Sequence, residues 1–174
     1  MTIRKILTEP DKFLRQVSKS VPKVTDEEKC LMDDMLETMY DANGIGLAAI
    51  QVGVPKRILV IDLGKKENKN MPLFFVNPKI IKKNDKLATY EEGCLSVPDQ
   101  FAEIDRPNKC TVEYLDYNGK KKVLDVDGLL ATCLQHEMDH LEGILFIDYL
   151  SKLKKDMIIK KLVKHKKEIK KSIL

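Results

Sequence analysis

Residues 127–143 read DGLLATCLQHEMDHLEG, and this segment decides the architecture expected for the chain. Asp127 is suited to cap a helix that begins near Gly128, and Gly143 is suited to end it. The apolar side chains recur at spacings of three and four residues, as on a helix that faces a core. They are Leu129, Leu130, Cys133, Leu134, Met138 and Leu141. We therefore expect a central, largely buried helix.

His136 and His140 lie four residues apart on this predicted helix. The spacing places them about 40° apart around the axis and about 6 Å apart along it, so both imidazoles can bind one metal ion. Glu137 points about 100° away from His136 and is suited to act as a general base toward a water molecule. A surface helix with two unrelated histidines is the alternative. It is disfavoured because the helix is otherwise apolar and buried imidazoles need partners.

A catalytic metal site of this kind needs a third protein ligand. The metzincin pattern requires a third His where this chain has Phe146, so that class does not fit. A downstream carboxylate, as in thermolysin-like sites, would have to be Asp148, Asp156 or Glu168. The last two lie in a lysine-rich segment, where solvated ion pairs explain them more simply. None of these carboxylates is compelling.

Two cysteines compete for the third ligand position. Cys133 lies about 10 Å along the axis from His140, which is too far for so short a side chain to share an ion with it. We interpret Cys133 as apolar lining. Cys94 follows Gly93, and a glycine lets the backbone approach another element closely enough for a thiolate to reach the ion. The predicted metal ligands are therefore Cys94, His136 and His140.

The chain before the central helix predicts one further helix and two strands. Thr25 and Glu28 have the spacing of a capping box, and apolar residues at helical spacing follow, so a helix is expected over residues 26–41. Residues 57–63 and 72–81 are rich in β-branched and aromatic side chains, which is typical of strands. Residues 81–110 contain a glycine and two prolines and are expected to form a long irregular loop.

A hairpin and a last helix complete the expected fold. Residues 111–117 and 122–126 alternate apolar and polar side chains around Asn118-Gly119, the preferred pair of a type I′ turn. Ser151 is suited to cap a basic helix with an apolar stripe. The stripe consists of Leu153, Met157, Ile158, Leu162, Val163 and Ile169. The expected fold class is α+β, with antiparallel strands and hairpins around a central metal-binding helix and a C-terminal basic amphipathic helix.

Length and composition favour a single globular unit. The 174 residues are 43% hydrophobic and 33% charged, which is enough for one core. We expect a catalytic domain at residues 1–150 and a basic helix appended to it at residues 151–174. The sequence has neither a long apolar run nor a signal-peptide pattern, so we expect a cytoplasmic protein. Four cysteines without a framework spacing favour separate thiols over disulfides.

The formal net charge of +4 is unevenly distributed along the chain. Residues 152–171 contain ten Lys against Asp156 and Glu168, so this segment carries +8 and the remainder −4. A solvated helix face is the plain explanation. Membrane contact is disfavoured because the stripe has no Trp or Phe anchor. Docking on ribosomal RNA through its phosphates is the functional alternative.

Three segments together resemble peptide deformylase in sequence, order and spacing. They are GIGLAAIQ at residues 44–51, EGCLS at residues 92–96 and QHEMDH at residues 135–140. Pro10-Asp11, Leu14-Arg15 and the predicted hairpin extend the similarity over roughly the first 150 residues. The resemblance implies removal of the formyl group from the N-terminal formyl-methionine of newly synthesised polypeptides, with release of formate.

The resemblance also implies roles for individual residues. Glu137 would take a proton from water and deliver it to the leaving amine, while Gln51 and the backbone N–H of Leu95 would bind the developing oxyanion. One divalent metal ion is implied, Fe²⁺ in cells, with Zn²⁺ or Ni²⁺ as alternatives. The implied partners are formyl-methionyl nascent polypeptides. The charge of the basic helix adds the ribosome as a candidate partner, and neither membrane nor DNA is expected. The implied methionine pocket comprises Ile45, Gly46, Glu92, Leu129, Cys133 and His136.

The sequence departs from the family pattern at two positions. Ile50 stands where many relatives have Pro, and Phe101 stands where many bacterial relatives have Arg, which affects contacts beyond the methionine. Glu92 and Arg106 are expected to form an ion pair behind the pocket.

Two other functions are compatible with the same sequence features. One is a general metallopeptidase with the same ligands, and the other is a non-catalytic RNA-binding module built on the tail. The scarcity of aromatic residues and of nucleic-acid motifs disfavours the second.

Overall fold

The computed structural model describes residues 2–64 and 71–172, with side chains described as far as residue 168. Its helices are α1 (Asp26–Asp41), α2 (Gly128–Leu141) and α3 (Lys152–Ser172). Its strands are β1 (Gly46–Ala48), β2 (Ile58–Ile61), β3 (Leu73–Lys83), β4 (Leu87–Cys94), β5 (Val97–Pro107), β6 (Lys109–Leu115) and β7 (Lys121–Asp127). Short 3₁₀ helices lie at Lys12–Arg15, Ala49–Val52 and Phe146–Tyr149.

The strands form two antiparallel sheets. Five strands pair in the order β1-β2-β3-β6-β7, and β4 pairs with β5 in a separate two-stranded sheet, here called the ribbon. Helix α2 packs against β1, β2 and β7 of the large sheet and also contacts both strands of the ribbon. The α+β class expected from the sequence is therefore confirmed, with the predicted site helix at the junction of the two sheets.

Strand β2 is buried on both faces, which explains why its sequence is apolar without alternation. Leu59 and Ile61 belong to the core cluster beneath α2. Ile58 and Val60 belong to the cluster beneath α1. The large sheet therefore lies between the two helices, and α2 is held against a rigid surface.

Helix α1 begins and ends where the sequence predicts. The Glu28 carboxylate accepts hydrogen bonds from the Thr25 backbone N–H at 3.0 Å and from its hydroxyl at 2.5 Å. Helix α2 also forms as predicted, although the Asp127 side chain accepts no capping hydrogen bond. Gly143 follows α2 at φ +72, and a Cβ there would lie 2.5 Å from the Arg15 carbonyl oxygen, so glycine is required for this contact.

The prediction of an irregular loop over residues 81–110 was wrong, because most of that stretch forms the ribbon. Proline usually interrupts strands, but Pro98 and Pro107 lie near the two ends of β5. A proline is tolerated in a strand that pairs on one side only. The glycine belongs to an irregularity in the pairing between Gly93 and Cys94, at the end of β4.

The predicted type I′ turn was also wrong, although the β6–β7 hairpin itself is present. A type I′ turn needs positive φ at both central residues, and here Gly119 has φ +75 while Asn118 is not among the residues of positive φ. The Asp116 backbone N–H donates to the Lys120 carbonyl, and the Asp116 carboxylate accepts from the N–H groups of Asn118 and Lys120 at 2.9 Å each. Asp116 therefore organises a longer loop than the two-residue pattern indicates.

Helix α3 forms after Ser151, whose hydroxyl accepts a 3.4 Å hydrogen bond from the Lys154 N–H. Its Ile158 and Leu162 are buried in a third apolar cluster with Val97, Phe146 and other residues. Leu153 and Met157 of the predicted stripe are more than half exposed. The Ile169 side chain lies outside the described residues. No helix in the described ranges is long and apolar enough to cross a membrane.

Candidate metal centre

The three ligands predicted from the sequence lie together at the contact between α2 and the ribbon. His136 and His140 present their rings from one side of α2, with centroids 5.1 Å apart. Cys94 ends β4, and its Sγ lies 3.2 Å from His140 Nε2. The potential ligand atoms of the three residues all lie within 4.8 Å of one another. Among the described residues they form a possible metal-binding group.

Glu92 determines which nitrogen of His136 can face an ion. His136 Nδ1 lies 2.8 Å from Glu92 Oε2. The Arg106 guanidinium donates to both Glu92 oxygens, at 2.5 Å and 3.1 Å, which confirms the predicted ion pair. A carboxylate held by Arg in this way accepts hydrogen bonds, so Nδ1 carries the proton and Nε2 keeps its lone pair.

The arrangement fits a metal ion by its electrostatics as well as its geometry. His140 is completely buried, and its Nδ1 has no hydrogen-bond partner within the described structure. Burial lowers the pKa of His140 and keeps its imidazole neutral. Two imidazole nitrogens and one cysteine sulfur are the donor set expected for a divalent transition metal.

Glu137 of α2 lies beside this group and against Gly46, the first residue of β1. A Cβ on Gly46 would lie 2.9 Å from Cys133 Sγ and would collide with the Glu137 carboxylate, so only glycine lets β1 pass so close to α2. Glu137 Oε2 is buried without a hydrogen-bond partner in the described ranges. Burial raises the pKa of the Glu137 carboxyl to about 7. This carboxyl is therefore suited to exchange a proton near neutral pH.

The Gln51 amide also lies next to this group. Its Oε1 accepts a hydrogen bond from the Ala48 N–H at 2.8 Å, which fixes the orientation of the amide. Its Nε2 donates to Ser96 Oγ at 3.0 Å and lies 3.6 Å from Cys94 Sγ. Leu95 directly follows Cys94 and lines the same cavity as Gln51. Two potential oxyanion donors thus lie next to the possible metal-binding group.

A cavity of about 490 Å³ opens at this group. All six residues predicted to form the methionine pocket line it, with Ile45 and Leu129 at its exposed rim. Phe101 also lines the cavity, is 65% exposed and packs its ring over Gly93. The cavity is large enough for a peptide side chain and leads directly to Glu137 and His136.

The residues set aside as ligands have other environments. Phe146 is buried and stacks against the His136 ring, with centroids 6.2 Å apart. Asp148 forms ion pairs with Arg15 and Lys155, both at 2.5 Å. Cys133 lines the cavity, and its thiol lies 3.9 Å from the Ile45 carbonyl.

Sequence reasoning missed three side chains around the centre. Asp139 and Tyr149 extend the ion pair behind the pocket, because Arg106 donates to Asp139 at 2.8 Å and Tyr149 donates to the same carboxylate at 2.9 Å. Thr132 lines the cavity and was given no role. Asp139 lies within the HEMDH segment, and Thr132 lies four residues before His136. Helical spacing could therefore have identified Asp139 and Thr132 as neighbours of the site.

Comparison with known proteins gives a consistent result. A family model described as polypeptide deformylase matches residues 3–156. A peptide deformylase of Pelagibacter ubique is 72% identical over 166 residues, covering 95% of this chain and 96% of that protein. One of Rhizobium meliloti is 56% identical over 164 residues, covering 94% of each. The crystal structure of the Ehrlichia chaffeensis peptide deformylase in complex with actinonin superposes with a TM-score of 0.91 at 46% identity, covering 95% of this chain and 98% of that one.

The site brings a thiol and two imidazoles together beside a buried carboxyl, at the base of an open cavity. This arrangement defines a metal-dependent hydrolase. The family match and the high sequence identity over nearly the whole chain specify which hydrolase family this is. The chain belongs to the polypeptide deformylase family.

Proposed function

We propose that Cys94, His136 and His140 hold one divalent metal ion and that Glu137 carries protons during the hydrolysis of a formyl amide. As a member of its family, the enzyme removes the N-formyl group from newly synthesised polypeptides and releases formate. The observation that carries the assignment of roles is the position of a buried, unpaired Glu137 oxygen beside three ligand atoms within 4.8 Å of one another.

A metal ion at this site would supply Lewis acidity, which activates water and polarises a carbonyl group. Glu137 then serves as the proton carrier. Its carboxyl takes a proton from the attacking water and gives it to the amine that leaves. The raised pKa of about 7 suits both transfers, because a group that must accept and return a proton works best near the ambient pH.

Gln51 and Leu95 stabilise the charge that develops on the formyl oxygen. The Gln51 amide is oriented by the Ala48 N–H, so its Nε2 protons point toward Cys94 and Ser96. The Leu95 backbone N–H provides a second donor. Removal of one such donor costs about 3 kcal/mol of transition-state stabilisation.

The cavity beside the metal ligands receives the methionine side chain of the substrate. Its wall consists of Ile45, Gly46, Glu92, Leu129, Cys133 and His136. Glu92 contributes no free charge, because Arg106 and His136 both bind its carboxylate. Phe101 lies at the rim, where it offers an apolar contact to residues after the methionine.

The bound metal is Fe²⁺ in cells, with Zn²⁺ and Ni²⁺ as the alternatives that the same ligands accept. Anaerobic purification followed by metal analysis tests this assignment, and about one metal ion per chain is expected. Iron as the principal metal supports it. A preparation that holds zinc or nickel and no iron would contradict it.

A formate-release assay tests the function. The metal-loaded enzyme should release formate from a formyl-methionyl tripeptide and leave the unblocked tripeptide intact. Cleavage of internal peptide bonds by the same preparation would favour the general metallopeptidase. RNA binding without a bound metal or formate release would favour the RNA-binding module.

Residues 1–150 form the catalytic domain, and the basic C-terminal segment, residues 151–174, brings the enzyme to the ribosome in the cytoplasm. Charge supports this role, since α3 displays exposed lysines while its Ile158 and Leu162 are buried. Dense positive charge on one helix face attracts RNA phosphates. Docking near the exit of the nascent chain would bring the pocket to each new formylated terminus.

A further inference from the structure

The side-chain amide of Gln51 is held at both of its polar atoms. Its Oε1 accepts a hydrogen bond from the Ala48 N–H at 2.8 Å, and its Nε2 donates to the Ser96 hydroxyl oxygen at 3.0 Å. Ser96 lies in the turn between β4 and β5 and is fully buried. A backbone N–H can only donate, so the amide oxygen must face Ala48 and the amide nitrogen must face Ser96. The two contacts together exclude the flipped amide.

Ser96 takes only one of the two protons on the Gln51 nitrogen. A side-chain amide carries two N–H groups. The second is directed toward Cys94, whose Sγ lies 3.6 Å from Nε2. Sulfur is a weak acceptor, so this proton is available to a stronger acceptor in the cavity that Gln51 and Cys94 both line. The hydrogen bond to Ser96 therefore fixes where the second proton lies.

The N-terminal segment ties together the two backbones that carry Gln51 and Ser96. The Leu7 N–H donates to the Gln51 carbonyl oxygen at 2.7 Å, and the Glu9 N–H donates to the Ser96 carbonyl oxygen at 2.8 Å. These bonds span from the 3₁₀ helix Ala49–Val52 to the turn of the ribbon. The Ser96 hydroxyl is therefore presented to the amide from a fixed backbone, and a short side chain is enough to orient it.

We infer that Ser96 is a positioning residue, whose hydroxyl accepts one proton of the Gln51 amide and so aims the other at the formyl oxygen of the substrate. This inference rests on the proposed function, which assigns Gln51 to that oxygen. Ser96 is fully buried and acts only through Gln51. A donor that is oriented in advance stabilises the developing charge without having to reorganise during the reaction.

Kinetics of the metal-loaded enzyme on a formyl-methionyl tripeptide test the inference. Ser96→Ala should lower kcat about tenfold and change KM less than about twofold, because the donor is still present but no longer oriented. Gln51→Ala removes the donor and should lower kcat about 100-fold or more. In the double variant, Ser96→Ala should add no further loss, since its effect passes through Gln51.

Proton exchange of the Gln51 side-chain amide gives a second readout that does not depend on turnover. In the zinc-loaded protein, nuclear magnetic resonance should show slow exchange of this amide. Ser96→Ala should accelerate the exchange about fivefold, the factor of one net hydrogen bond. Ser18→Ala is the matched control, because Ser18 is buried, has an unpaired hydroxyl within the described ranges and does not line the cavity. It should match the wild type in both measurements.

The outcomes separate this inference from the function on which it rests. A wild-type kcat or unchanged amide exchange in Ser96→Ala would overturn the inference and leave the deformylase activity intact. An equally large loss from Ser96→Ala in the Gln51→Ala background would also overturn it, because Ser96 would then act independently of Gln51. Full activity of Gln51→Ala would remove the proposed role of Gln51, and the inference with it. Absence of formate from the metal-loaded wild type would instead overturn the proposed function.

Discussion

His136 Nδ1 lies 2.8 Å from a carboxylate oxygen of Glu92, and this hydrogen bond is the inner end of a chain of contacts that reaches the protein surface. Arg106 holds both oxygens of Glu92 and also donates to Asp139, which in turn accepts from the exposed Tyr149. The Arg106 guanidinium lies 5.0 Å from the centroid of the Tyr149 ring. The orientation of His136, one of the proposed metal ligands, is therefore linked by hydrogen bonds to a residue outside the cavity.

Replacement of Arg106 by alanine should weaken metal binding. The substitution leaves Glu92 buried without its counter-ion and releases the His136 ring, and such losses behind a metal ligand cost about tenfold or more in affinity. The rate of metal loss to a chelator measures the effect. Tyr149→Phe, which removes only the hydroxyl, should give a smaller change, and Arg4→Ala, at an ion pair outside the site, none. Metal loss from Arg106→Ala at the wild-type rate would refute the idea.

Replacement of Glu137 by glutamine should abolish turnover while leaving the metal bound. The amide has the size of the carboxyl but cannot carry the proton, so formate release should fall by about 10²–10⁴-fold. Metal analysis and the formate assay on the same sample separate the two effects. Loss of the metal together with activity would mean that Glu137 is a ligand rather than the base.

Replacement of Cys94 by serine should weaken metal binding, because a hydroxyl is a poorer ligand than a thiolate for these metals. The metal content after dialysis is expected to fall well below that of the wild type. Cys110→Ser is a matched control at a buried cysteine outside the possible metal-binding group. Equal metal content and equal rates in Cys94→Ser and the wild type would remove Cys94 from the ligand set.

Neutralisation of the α3 lysines should abolish association with ribosomes at low salt. Deletion after residue 150 is unsuitable, because it would remove Ile158 and Leu162 from the third apolar cluster. Substitution by glutamine removes charge and spares the packing. The test variant changes exposed Lys160, Lys161, Lys164 and Lys167, and the control variant changes exposed Lys79, Lys82, Lys83 and Lys86.

Cosedimentation at increasing salt measures this effect. The control variant should sediment with ribosomes as the wild type does, and both should dissociate steeply as salt rises. Both variants should still hydrolyse short formyl peptides. Undiminished cosedimentation of the α3 variant would rule out docking through this helix.

Acid should weaken the fold at the start of α1. Hydrogen bonds from Lys56, and next from Thr25, lower the pKa of Glu28 from 4.5 to about 2. A depressed pKa stabilises the folded state above the unfolded value, and that contribution is lost as the pH falls from about 4.5 through about 2. Lys56 is 30% exposed, so solvent screens the pair and the contribution is about 1 kcal/mol.

Denaturant unfolding of the wild type and of Glu28→Gln measures this contribution. The free energy of unfolding should differ by about that amount at pH 6, and the difference should shrink toward pH 2.5. A difference that stays constant over this range would show that the charge of Glu28 is not the cause.

The helices could be predicted from the sequence because their signals are local. The Thr25–Glu28 capping box and the periodic apolar residues of α2 specify each helix within its own segment. The ribbon could not be predicted in this way, because it depends on pairing between residues that are distant in sequence. Thr89 and Asp105, for example, form a cross-strand hydrogen bond that neither segment predicts by itself.

The residues of the site also divide into those that local sequence patterns predict and those that they do not. His136, Glu137 and His140 follow from helical spacing, and Cys94 from its neighbouring glycine and by elimination. The contact of Arg106 with Asp139 and the unpaired state of the Thr132 hydroxyl depend on how α2 meets the ribbon. Such contacts are tertiary facts, which residue types and spacing leave undetermined.

Helix α3 is joined to the possible metal-binding group through an apolar cluster that includes Phe146 and packs against Cys94. Ile158 and Leu162 share a cluster with Phe146, and Phe146 stacks on the ring of His136. A partner that repositions α3 on binding acts on this packed contact, and thermodynamic reciprocity then applies. If such a partner raises the affinity of the protein for the metal ion by some factor, the metal ion raises the affinity for the partner by the same factor. Metal-loaded enzyme would then be recruited in preference to apoenzyme.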